Sequence, residues 1–182
     1  MKINKMHKWI YIFLFGLICF LILSKSHISK TEENKKSATD LNYFPNAKVK
    51  EIYRLRLNPN DLLLESIQEL IKRENIKDGA ITSGIGTLSE CRMHWVITTD
   101  FPSKQKITTI KKPLEVSSIS GIIADGVPHL HMTVSDTSFA LAGHLETGCK
   151  VLYLAEVVIE SYEGMPLIRR PNKYGTNMLE RK

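Results

Sequence analysis

The run PHLHMTVSD sets His129 and His131 two apart in a segment that alternates like a strand, and AGHLETGC supplies His144 thirteen residues further on. The chain has six histidines, so half of them fall within this short region. Side chains alternate along a strand, so His129 and His131 project from one face. The intervening SDTSFALAG leaves room for a hairpin that returns His144 beside them. Three imidazoles converging from two strands are the protein ligands of an open zinc site, whose fourth position takes water or substrate. An H-x-H pair alone fits two polar residues on a solvated sheet face equally well. The third histidine at hairpin distance is what favours the metal. Asp125 and Asp136 flank the pair and are explained as turn formers.

Other chemistry is weaker. SGIGT (83–87) has no following P-loop lysine and opens no helix, so it reads as a turn between strands rather than a phosphate loop. Cys149 with His144 as a nucleophile pair has only proximity in sequence behind it. No residue is assigned a catalytic role, and the sequence does not establish turnover.

The elements that must position the histidines can be read from pattern. VKEIYRLRL (49–57) alternates and ends at NPND, a turn followed by a helix N-cap. DLLLESIQELIKRENIKDG places Leu63, Ile67, Leu70 and Ile71 on one stripe of an amphipathic helix whose role is core packing. From Gly79 to Tyr162 short strand-like segments follow at close spacing, which requires antiparallel pairing because a parallel return needs a long crossover. The expected fold class is α+β, a mainly antiparallel sheet with one main amphipathic helix. VLYLAEVVIE is apolar at nearly every position and reads as a central strand covered on both faces, with Glu156 paired inside the domain. One helix can cover only one side of a small sheet, so a partner subunit should cover the rest. Cys91 and Cys149 lie in strand-like segments and read as small buried hydrophobes.

Charge excludes less than its total suggests. The net +6 includes Lys2, Lys5, Lys8 and Lys25; from His27 onward 21 Lys+Arg face 19 Asp+Glu, a net of +2. A phosphate-tracking surface needs more than that. Those first lysines flank WIYIFLFGLICFLIL (Trp9–Leu23), fifteen residues without a charge, which is an export pattern. Residues 1–26 therefore read as a signal peptide or N-terminal membrane anchor, and 27–44 as a flexible linker. The expectation is an exported chain, periplasmic or secreted, or held to the bacterial inner membrane through an uncleaved N-terminal segment. Export would make nucleic acid an improbable partner.

PLEVSSISGIIADGVPHLHMTVSD and AGHLETGCKVLYLAEVVIE together resemble the PPC domain, the plant and prokaryote conserved domain, in its stand-alone bacterial form. SGIGTLSECRMHWV and IRRPNKYGTNML are also similar to family segments, so the resemblance runs from about Lys48 to Leu179 and implies a domain over 45–182. It implies a homotrimer and a metal, zinc, at His129, His131 and His144. It also brings the label of a DNA-binding regulatory protein, although the chain lacks the Arg-Gly-Arg-Pro core of an AT-hook. Where the plant proteins carry a Gly-Arg-Phe-Glu-Ile-like segment that contacts partners, this chain has KPLEVS, with Glu115 matching and Lys112 in place of arginine. The expected function is a metal-binding module with a pocket for a small ligand or a partner, to which Glu115, Arg92 and Lys112 contribute. The alternative is the DNA-binding regulator, with KQKITTIKK (104–112) as its basic segment, and a structural trimeric scaffold is the third reading.

Overall fold

The computed structural model describes residues 41–182. The apolar leader and nearly all of the expected linker lie outside the described residues. From Tyr43 onward the chain forms one compact unit with eight strands and one helix. In chain order these are β1 (Lys48–Leu57), α1 (Leu63–Arg73), β2 (Asp78–Val96), β3 (Gln105–Ala124), β4 (Val127–Ser135), β5 (Ala140–Leu145), β6 (Lys150–Glu163), β7 (Leu167–Pro171) and β8 (Asn177–Arg181). Every strand pairing is antiparallel. The main sheet has the order β1-β6-β2-β3-β4-β5, and β7 pairs only with β8. Among the described residues no helix is long and apolar enough to cross a membrane.

The end of β2 also pairs with β5, matching Met93 with Leu145 and His94 with His144. Strands β2, β3, β4 and β5 therefore close on one another at this end. Alternation sends Met93, Leu130, Met132, Val134 and Leu145 into the core, where each is 1% exposed or less. The residues between them in sequence, the histidines included, are left on the outer face.

The helix packs on the other side of the core, against β1 and β6, burying Leu63, Ile67 and Ile71 while Leu70 is partly buried. Full burial of each such side chain contributes about 1.5–3 kcal/mol. Its start differs from expectation. Asp61 does not cap the helix: its Oδ2 accepts from the Asn58 amide at 2.7 Å, closing the preceding turn, and the N-cap residue is Leu62.

SGIGT is not a turn. It lies inside β2, and the segments read as separate strands on either side of it are one nineteen-residue strand. The glycines permit this because a Cβ on Gly84 would fall 2.6 Å from the Ile119 side chain, and one on Gly86 would fall 2.5 Å from the Leu154 carbonyl. Pro113 likewise sits inside β3, opposite a register shift between Leu88 and Glu90 where the ladder loses its regular pairing. Strand β6 is central, between β1 and β2, but only its inward face is covered: Leu154 and Glu156 are exposed, as is Ile85, which pairs with Glu156.

Candidate metal centre

The β3–β4 connection is the two-residue loop Asp125-Gly126, both with positive φ (50° and 79°), as a tight hairpin requires. It fixes a register in which His129 pairs with Ile122 and His131 with Ser120. Asp136 then folds the β4–β5 connection: its Oδ1 accepts from the amides of Ser138 (2.7 Å) and Phe139 (3.0 Å). This turn sets His144 directly opposite His131. Both aspartates thus serve turns, as their sequence context suggests.

The ligand atoms of His129, His131 and His144 lie within 4.8 Å of one another. Their ring centroids are 5.4 Å (129–131), 4.9 Å (129–144) and 5.4 Å (131–144) apart. Rings bound to one ion at about 2.0–2.1 Å per nitrogen have comparable separations, so the donor set fits zinc. His129 and His131 are exposed and His144 is half-buried, which leaves one side of the cluster open.

Desolvation and neighbouring charge hold two of the rings below the ordinary imidazole pKa. Burial depresses the pKa of His144 to about 4, with His94, His129 and His131 adding to the effect. Partial desolvation of the His129 ring, which is still open to solvent on one side, also lowers its pKa, followed by the charge of Arg169 and then by His131 and His94. A neutral imidazole is the form that binds a metal.

Two further residues complete the cluster, and sequence reading missed both. His94 on β2 stacks on His144 with centroids 4.3 Å apart, and its Nδ1 lies 2.5 Å from Glu146 Oε1. His94, His144 and Glu146 form a second group with ligand atoms within 4.8 Å. The alternation of CRMHWV places His94 on the outer face, but its meeting with His144 depends on the β2–β5 closure, which no local pattern reveals. Trp95 braces the same place: its Nε1 donates to the Ala142 carbonyl, and a Cβ on Gly143 would fall 2.8 Å from that nitrogen. Glycine at 143 is the condition for the indole to lie against the β5 backbone next to His144 in sequence.

The remaining residues expected at the site are dispersed. Arg92 shares the outer face with His94, two residues away along β2. Glu115 pairs with Ser135, four residues beyond His131 and so about 13 Å along the strand. Lys112 is engaged elsewhere, with its Nζ 2.5 Å from Asp136 and over the Phe139 ring. Cys91 and Cys149 are free and buried. Cys149 Sγ accepts from the Arg92 amide and donates to the Arg92 carbonyl, so its bonds go to the backbone rather than to His144.

Residues 45–163 match the family model described as the Plants and Prokaryotes Conserved (PCC) domain. The chain belongs to this family. Among solved structures, this PCC domain is similar to a plant- and prokaryote-conserved protein from Pyrococcus horikoshii, at 26% identity and TM-score 0.66, covering 76% of this chain and 97% of that one. A candidate DNA-binding protein from Bacteroides thetaiotaomicron aligns at 25% identity and TM-score 0.65, covering 73% and 94%. The metal-containing protein AF0104 from Archaeoglobus fulgidus shares the fold at 22% identity and TM-score 0.66, covering 76% and 98%. The bifunctional protein GlmU of a Synechococcus species is 28% identical over 123 residues, which is 67% of this chain but 18% of that protein. The PCC domain therefore spans under a fifth of the curated relative it matches.

These findings correct the expected location. The finding that stands against it is that the Bacteroides relative is named for binding DNA; the leader itself lies outside the described residues. The periplasmic, secreted or membrane-anchored placement is not retained, and with it goes the argument from export against nucleic acid.

Proposed function

We propose that this PCC domain is a homotrimeric metal-binding module in which His129, His131 and His144 hold zinc beside a pocket for a small ligand. The observation that carries this reading is the convergence of three histidine ligand atoms within 4.8 Å on an open face. Bound there, zinc supplies a Lewis-acidic fourth position for water or a ligand atom. The chain contributes the neutral imidazoles and a rigid strand frame, with Trp95 and Glu146 bracing β5 and His94. Turnover forms no part of this reading.

Support for self-association comes from the opposite end of the sheet. Ile52, Ile85 and Leu154 are exposed on the uncovered face of β1, β2 and β6. A groove of about 290 Å³ lined by Arg54, Arg56, Ile85, Glu156 and Val158 lies on that face. Exposed aliphatic side chains set among these charges favour a partner surface, and a closed ring of like subunits would cover it.

DNA association is the second reading, favoured by the name of the Bacteroides relative. The basic segment gives it limited support, because Lys111 pairs with Glu90 at 3.3 Å and Lys112 with Asp136 at 2.5 Å. Equilibrium dialysis of chelator-stripped protein against zinc, followed by light scattering, tests the first reading. It requires about one tightly held ion per chain and a trimer mass. Absence of uptake removes the metal, and a monomer at micromolar concentration removes the assembly.

A further inference from the structure

Strands β7 and β8 lie beyond the family-matched segment and pair only with each other, yet they are tied to the strands that carry the histidines. The Leu167 amide donates to Asp78 Oδ1 at 3.0 Å, and Lys182 Nζ lies 2.6 Å from Asp125 Oδ1 in the β3–β4 turn. Tyr174 packs on Phe101 with centroids 4.7 Å apart. The central tie is Arg169, whose Nη1 donates to the Val127 carbonyl at 3.1 Å and whose Nη2 donates to the Ile122 carbonyl at 3.0 Å.

Those two carbonyls bracket His129. Ile122 is its cross-strand partner and Val127 precedes it by two residues on β4. Strand geometry puts each about 5–7 Å from His129. The guanidinium is therefore fixed beside the first of the three histidines. It has five N–H groups, of which the two carbonyls use two. Arg169 is in none of the ion pairs among the described residues. Glu146 is held by His94 and Asp125 by Lys182, so the nearby carboxylates have other partners. A half-buried cation stands unneutralised at the margin of the histidine cluster, and a divalent ion there would add positive charge.

We infer that Arg169 makes this centre a receptor for a small oxyanion, the carboxylate or phosphate group of a soluble ligand. The inference rests on the metal reading: one ligand oxygen takes the open position on the ion while another accepts from Arg169. Such a group would meet the ion at about 2 Å and the guanidinium at about 2.8 Å. The arginine is a binding residue supplied by the C-terminal hairpin, and its carbonyl bonds preset its orientation.

The test is calorimetric titration of the full chain, zinc-loaded and zinc-free, with inorganic phosphate and separately with acetate. The expected result is that zinc-loaded protein binds at least one of the two, and that Arg169→Gln weakens this about tenfold or more with zinc content unchanged. Arg169→Lys should retain part of the affinity. Equal affinity in wild type and Arg169→Gln, or no oxyanion binding by zinc-loaded wild type, overturns the inference while leaving the metal site intact. If wild type holds no zinc, the metal reading fails; Arg169-dependent phosphate binding in that sample would still uphold the oxyanion site, and its absence would overturn both. Should Arg169→Gln not fold, phosphate protection of wild-type Arg169 from an arginine-selective dicarbonyl reagent replaces the variant, and unprotected modification overturns the site.

Discussion

His131 and His144 face each other directly across the β4–β5 ladder, with ring centroids 5.4 Å apart and planes nearly perpendicular. The pairing depends on the Asp136 turn, because a one-residue slip of β5 would send His144 to the core face. Replacing Asp136 by Ala removes the acceptor for two amides and the partner of Lys112. The expected outcome is a lower midpoint in denaturant unfolding, with weaker zinc binding. Unchanged stability and zinc affinity would show that the turn does not set the register.

Gly143→Ala should be harmful out of proportion to its size. The new methyl would meet Trp95 Nε1 at 2.8 Å and the His94 carbonyl at 3.1 Å, one residue before His144 on β5. Overpacking of this kind costs typically 1–3 kcal/mol. Thermal unfolding and a tryptophan fluorescence shift would register the displaced indole; a variant with wild-type melting and emission would contradict the packing account.

Much of this frame was legible beforehand. The period-two alternation of PHLHMTVS placed His129 and His131 on one face, and the Leu63–Ile67–Ile71 stripe placed α1 against the core. What escaped reading were features set by distant partners. Gly84, Gly86 and Pro113 look like breaks in a local window, but each is accommodated inside a long strand by its neighbours across the sheet. His94 and Arg169 carry no motif, and they reach the centre through the β2–β5 closure and through carbonyl contacts that join β7 to β3 and β4. Glu115 and Lys112 were nominated by resemblance, and the structure places Glu115 far along β3 and commits Lys112 to Asp136.

The metal-free protein should lose stability in acid in a defined window. The folded-state pKa of His144 is lowered to about 4 and that of His129 is also lowered, while the unfolded values stay near ~6.5. Between those limits the unfolded chain binds more protons than the native one, so stability falls as pH drops from about 6.5 towards 4. Above ~6.5 these two groups contribute no slope. Urea midpoints at pH 7.5, 6 and 5 should decline in wild type and decline less in His144→Asn. Parallel curves would rule out His144 as the source.

Glu146→Gln tests the brace behind the site. The His94–Glu146 pair is largely shielded, with side-chain exposures of 15% and 27%. Loss of a charge-assisted bond there should cost about 1 kcal/mol or more, and zinc affinity should fall as His94 loses its fixed place against His144. Zinc titration and unfolding of the same variant give both values. No change in either would leave the pair without a role at the site.

Elemental analysis of wild type and His131→Ala, purified and dialysed against zinc side by side, tests the central claim most directly. Wild type should hold about one zinc per chain and the variant almost none, with circular dichroism and the metal-free melting temperature retained. Equal zinc in the two proteins would contradict the three-histidine centre.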